Sequence, residues 1–101
     1  MINSLTPISG SGPALLFLFV QYLSKITQQF GVSPEDSISI VKQTIFGSAK
    51  MINQSNIDLE QLINNVTSTK GVTASCLDIL RDGRFFDILK QSIHAGCNRA
   101  D

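Results

Sequence analysis

Apolar residues return along this chain at three- and four-residue steps, and polar clusters carrying glycine or proline interrupt them often enough to mark five helices. The first is predicted to open at about Gly12, where "SGSGPALLFLF" places two glycines in a turn and Pro13 in the first helical turn, a position that needs no N–H. It runs to about Phe30 and stops at Gly31 in a left-handed conformation. Ala14 to Val20 is apolar on every side, which predicts a helix clamped by its own domain and by a second chain. Farther along, Tyr22, Leu23, Ile26 and Phe30 narrow to one stripe.

"SPED" at residues 33–36 predicts the second helix, with Ser33 as cap, Pro34 in the first position and two acids at the positive end of the helix dipole. Its stripe is Ile38, Val41, Ile45, Ala49 and Ile52, ending near Gln54. Gly47, a poor helix former, is expected to permit close helix contact. Asn56 or Asp58 then caps a short third helix striped by Leu59, Leu62, Ile63 and Val66. Thr73 to Arg81 forms a fourth, with Leu77 and Leu80 facing inward and Asp82-Gly83 ending it. Phe85, Phe86, Ile88, Leu89 and Ile93 make a fifth that fades near Asn98. Pro7 disfavours helix at Thr6, so Met1 to Pro7 is expected to be extended. No stretch alternates as a strand would, and the predicted class is all-α, one domain over residues 1–101.

Composition adds a reason to expect a partner. A monomer of 101 residues buries only roughly 60–65% of its unfolded surface. Yet 43% of this chain is hydrophobic and only 16% charged, against about 25% charged in an average soluble domain. Part of the surface is therefore expected to be an interface. Eight basic and eight acidic side chains cancel and are scattered, which argues against nucleic acid and anionic membrane as partners. The apolar run in the first helix is too short for a bilayer crossing, and no positive charge precedes it as in a signal peptide, so a cytoplasmic location is expected. Cys76 and Cys97 belong to no Cys-x-x-Cys pair and are expected to be buried reduced thiols; no metal is expected.

Three features are candidates for chemistry. Gly10-Ser11-Gly12 precedes a helix but lacks the strand and third glycine of a dinucleotide fingerprint, leaving a tight turn or a backbone surface beside another domain's ligand. His94 is the single histidine and has no metal partner at helical spacing, and a catalytic role for it is disfavoured. The loop "TSTKGVT" at 67–73 is stronger. Gly71 lets the backbone bend, the N–H groups of Gly71, Val72 and Thr73 lie at the start of the fourth helix, and Ser68, Thr73 and Lys70 can add hydroxyls and charge for an anion. Ordinary capping by Ser and Thr is the alternative.

Two segments together, "LTPISGSGPALLFLF" and "LINNVTSTKGVTASCLDILRDGRF", resemble the C-terminal helical domain of pyrroline-5-carboxylate reductase, in the family's order and spacing and over nearly the whole chain. The resemblance implies an interwoven, five-helix dimerisation domain of the 6-phosphogluconate dehydrogenase C-terminal-like type. It implies a homodimer or a higher oligomer of dimers, and a part in reducing 1-pyrroline-5-carboxylate to proline with NADPH or NADH. The nucleotide would be held mainly by an N-terminal Rossmann domain absent from these residues, so the chain alone is expected to be inactive. Residue by residue, the resemblance implies that the hydroxyl of Ser68, the backbone of Gly71 and Val72, and Thr73 bind the substrate carboxylate. Thr6 would hydrogen-bond the ring nitrogen, and Ser9, Gly10, Ser11 and Gly12 would lie beside the nicotinamide.

The family usually has Ser-Pro-Gly-Gly before this helix, whereas Thr69-Lys70-Gly71 follows Ser68 here. A left-handed Lys70 would carry a strain of roughly 1–2 kcal/mol. Leu15 stands where a tyrosine is common, and Cys76 where a small residue is usual. The competing readings are a non-catalytic dimerisation or anion-binding module and a helical domain from another two-domain dehydrogenase.

Overall fold

The structure, a computed structural model, describes residues 8–67 and 71–100. The described residues are helical between short turns, with no strand among them. Five helices follow Ile8 and Ser9, which are themselves helical: α1 (Gly12–Gln29), α2 (Pro34–Gln54), α3 (Leu59–Val66), α4 (Val72–Asp82) and α5 (Phe85–Ala100). The expected extended entry, Met1 to Pro7, lies outside the described residues.

Helix boundaries follow the local chemistry. Pro13 sits in the first turn of α1, and Gly31 adopts φ 91 just beyond its end, as the sequence predicts. Ser33 caps α2 by accepting a hydrogen bond from the Asp36 N–H at 3.1 Å, and Asp58 caps α3 by accepting one from the Gln61 N–H at 2.9 Å. Each satisfies one of the N–H groups that a helix start leaves without an intrahelical partner. Between the two alternatives, Asn56 and Asp58, the carboxylate takes the role. Helix α4 starts one residue earlier than predicted and α5 continues past Asn98.

The junction of α4 and α5 departs from expectation. Gly83 ends α4, but it has φ −80, and the left-handed residue is Arg84 at φ 63. A side chain at such an angle costs roughly 1–2 kcal/mol. Glycine is required at 83 for a different reason: a Cβ there would stand 2.9 Å from the carbonyl oxygen of Ile79, which accepts the Gly83 N–H at 2.9 Å. Gly83→Ala should therefore lower stability by about 1–3 kcal/mol, the usual cost of forcing atoms into filled space, as read by chemical denaturation.

Ser9–Ser55 forms one compact unit, and the residues from Asn56 onward, with Ile8, belong to another. In the first unit α1 packs along α2. The buried residues of this pair are Ser24, Ser37 and Val41. Two of the three are small, so the backbones can approach closely, and Val41, 5% exposed, is the only buried hydrophobic residue among the described ones. In the second unit α4 packs against α5.

Most of the predicted core positions are consequently open. Leu16, Phe17, Leu18 and Phe19 are all exposed, Phe17 by 70%, so the clamp expected around α1 is not supplied by its own chain. Ile38 and Ile52 of the α2 stripe are exposed, as are Leu59 and Val66 of α3 and Leu80 of α4. The helical period was sound, but it marks faces that need covering rather than faces covered within one chain. One further expectation fails for the same reason. Cys76 is exposed and Cys97 half-buried, neither in a disulfide; a Cβ at Gly47 would meet no described atom within 4 Å. No described helix is long and apolar enough to cross a membrane.

Candidate functional site

The start of α4 differs from the starts of α2 and α3 in having no capping side chain. Its N-cap is Gly71 at φ 84, ψ 0, a left-handed conformation that glycine adopts without the Cβ clash of other residues. A Cβ placed there would meet nothing within 4 Å, so the requirement is one of backbone angle and not of space. The Gly71 carbonyl accepts the Ser75 N–H at 2.9 Å, closing the first turn. The left-handed angle falls on Gly71; the strain expected at Lys70 concerns a residue outside the described ones, as does the proposed ligand hydroxyl of Ser68.

Around this turn the side chains divide by role. Thr67, at the end of α3, donates its hydroxyl to the Ile63 carbonyl at 2.6 Å, while its N–H donates to the Asn64 carbonyl at 3.2 Å. That hydroxyl closes a helix end. Val72 turns its side chain outward, 72% exposed, leaving its N–H as its contribution to the turn. Thr73 is half-buried, and its hydroxyl has no hydrogen-bond partner among the described residues. The result is an uncapped positive helix end with an uncommitted hydroxyl beside it, an arrangement that suits a carboxylate or another small anion.

A second uncapped start lies at α1. Ser11 is its N-cap, with φ −95, ψ −14 and no side-chain capping bond, and its carbonyl accepts the Leu15 N–H at 3.0 Å. Ser9, Gly10 and Ser11 are exposed, and Gly12, half-buried, has open space where a Cβ would be. The turn thus presents small groups only. Ser9 to Gly12 and Gly71 to Thr73 lie in different compact units. Thr6 lies outside the described residues.

One polar feature escaped the sequence reading. Arg84, Asp87, Lys90, Gln91 and His94 line an open groove of about 400 Å³ along one face of α5. Arg84 Nε donates to Asp87 Oδ2 at 2.7 Å in an exposed pair that contributes little to stability. Arg84, Asp87, Gln91 and His94 recur at three- and four-residue steps, which places them on one side of the helix. No serine or cysteine lines the groove, so His94 has no nucleophile to activate there. No set of three metal-ligating side chains occurs among the described residues.

The sequence model of a family described as pyrroline-5-carboxylate reductase dimerisation matches residues 1–101. The chain belongs to this family. Among curated relatives, pyrroline-5-carboxylate reductase of Staphylococcus haemolyticus is 34% identical over 100 residues, which is 98% of this chain and 36% of that protein. The Pseudomonas aeruginosa reductase is 30% identical over 99 residues, with the same coverage of both chains. The chain therefore spans about a third of the length of the relatives it matches. Among solved structures, Plasmodium falciparum pyrroline carboxylate reductase, crystallised with NADP bound, superposes with a TM-score of 0.92 at 34% identity over 98% of this chain and 38% of its own. A pyrroline-5-carboxylate reductase from Coxiella burnetii gives a TM-score of 0.92 at 31% identity. The all-α dimerisation fold expected from the resemblance is thus the fold of the family.

Proposed function

We propose that this chain is the dimerisation and carboxylate-binding part of a pyrroline-5-carboxylate reductase, which reduces 1-pyrroline-5-carboxylate to L-proline in proline biosynthesis. A homodimer covers the open apolar faces, and the nucleotide is held mainly outside these 101 residues. The observation that carries the carboxylate role is the bare start of α4: α2 and α3 are closed by Ser33 and Asp58, whereas Gly71 turns left-handed and leaves α4 without a side-chain cap. The carboxylate of pyrroline-5-carboxylate, the compound named in the relatives' titles, is the kind of anion such a helix start suits.

The chemistry asks little of this chain beyond position. When bound, a reduced nicotinamide, NADPH or NADH, would supply a hydride to the imine carbon, and the ring nitrogen would take its proton from water. The backbone N–H groups of Gly71, Val72 and Thr73 and the hydroxyls of Ser68 and Thr73 hold the carboxylate, fixing the ring at the roughly 3–3.5 Å approach that transfer requires. Thr6 hydrogen-bonds the ring nitrogen and orients the imine. By the family resemblance, Ser9, Gly10, Ser11 and Gly12 would lie beside the nicotinamide.

The test is Ser68→Ala in the complete reductase that carries this chain. A hydrogen bond to a charged group contributes about 1.5–3 kcal/mol, so KM for pyrroline-5-carboxylate should rise roughly ten- to a hundredfold. An unchanged KM removes Ser68 from the site. A complete protein that forms dimers but reduces no pyrroline-5-carboxylate would favour the non-catalytic module.

A further inference from the structure

Thr67 immediately precedes the carboxylate loop, and it holds the end of α3 twice. Its N–H donates to the Asn64 carbonyl at 3.2 Å, three residues back, and its hydroxyl donates to the Ile63 carbonyl at 2.6 Å, four residues back. In a continuing α-helix the Ile63 carbonyl would take the Thr67 N–H. Here the N–H bonds one carbonyl further on, as happens when a helix tightens its last turn, and the hydroxyl fills the place it left. Thr67 itself turns out of the helix, at φ −89 and ψ 107.

Thr27 and Thr44 also reach back four residues, to the Leu23 carbonyl at 2.8 Å and the Ile40 carbonyl at 2.9 Å. Both lie inside helices, where those carbonyls also belong to the helical ladder and the hydroxyl sets no end. Thr67 is different because it is half-buried where the chain changes direction. Consecutive Cα atoms are about 3.8 Å apart, so the direction taken at 67 decides where residue 68 begins. Gly71, the N-cap of α4 on the other side of the loop, lies in the same compact unit as Thr67.

We infer that Thr67 is a positioning residue for substrate binding: the bond from its hydroxyl to the Ile63 carbonyl fixes the angle at which the chain leaves α3, and with it the aim of the Ser68 hydroxyl at the substrate carboxylate. The inference rests on the carboxylate reading of the start of α4 and adds the group that directs the loop. Without the hydroxyl, the Thr67 N–H returns to the Ile63 carbonyl, which lengthens α3 by one residue and redirects the chain. The last turn keeps a backbone hydrogen bond in either case. Binding therefore changes more than stability does.

The test compares Thr67→Val, Thr67→Ser and Ser68→Ala in the complete reductase that carries this chain, reading KM for pyrroline-5-carboxylate, KM for the nucleotide and the melting temperature. Valine keeps the branched shape and loses the hydroxyl, whereas serine keeps the hydroxyl. In Thr67→Val, KM for pyrroline-5-carboxylate should rise roughly tenfold, as expected when one hydrogen bond to a charged group is misplaced. KM for the nucleotide and the melting temperature should change little, and Thr67→Ser should return KM for pyrroline-5-carboxylate close to wild type. An unchanged KM in Thr67→Val, beside a raised one in Ser68→Ala, would overturn the positioning role and leave the carboxylate reading in place. The same holds if serine and valine raise KM alike, or if KM for the nucleotide rises in step while the melting temperature falls. An unchanged KM in Ser68→Ala, or a complete protein without reductase activity, would overturn the carboxylate role of Ser68 and the inference with it. If Thr67→Val does not fold, Thr67→Ala takes its place in the same comparison.

Discussion

Phe17→Asp should convert the chain from a dimer into a monomer that has lost much of its helical cooperativity. Phe17 lies in the second turn of α1 and is 70% exposed, with Leu16, Leu18 and Phe19 exposed around it. Such a concentration of open apolar side chains on one helix is more than an isolated soluble domain carries, and it marks an interface. Removing a buried Phe side chain typically costs about 3–5 kcal/mol, and a desolvated carboxylate adds to that cost. At 1.4 kcal/mol per tenfold, the dimer dissociation constant should rise by well over a hundredfold. Sedimentation velocity at micromolar concentration reads the change, and circular dichroism reads the loss of structure. A variant that stays dimeric at wild-type concentrations would show that α1 faces solvent in the assembly.

The second large effect is expected at Gly71. In the complete reductase, Gly71→Val should raise KM for pyrroline-5-carboxylate by about a hundredfold, and Gly71→Asn by only a few-fold. The argument turns on backbone angle alone. Because a Cβ at 71 meets nothing within 4 Å, neither variant clashes, but φ 84 is a conformation that asparagine tolerates and a β-branched residue does not. Valine must either hold a strain of at least about 1–2 kcal/mol or swing the start of α4 away, losing charge-assisted hydrogen bonds worth about 1.5–3 kcal/mol each. Equal KM values for the two variants would show that the left-handed turn does not aim the helix end at the substrate.

Much of this was legible in the residues because caps and stops act locally. Ser33, Asp58, Gly31 and the Pro13 turn each set a helix end through atoms a few residues away, and the structure places each where the pattern puts it. Gly71 was legible as a bend for the same reason. What the pattern misjudged was burial. A stripe such as Ile38, Val41 and Ile52 records which side of a helix avoids water, but not whose atoms cover it, and of these three only Val41 is buried. The exposed thiol of Cys76 follows from the same cause. Arg84 was illegible for another reason. An Asp-Gly pair predicts a helix stop at Gly83, yet Gly83 has φ −80 and the left-handed residue is the next one, Arg84, which no local preference favours.

The most direct measurement is a crystal structure of the complete reductase containing this chain with L-proline bound. The proline carboxylate should lie within hydrogen-bonding distance, about 2.7–3.2 Å, of the Val72 and Thr73 N–H groups and the Ser68 hydroxyl. A carboxylate bound elsewhere, with the start of α4 closed by the protein's own side chains, would contradict the account.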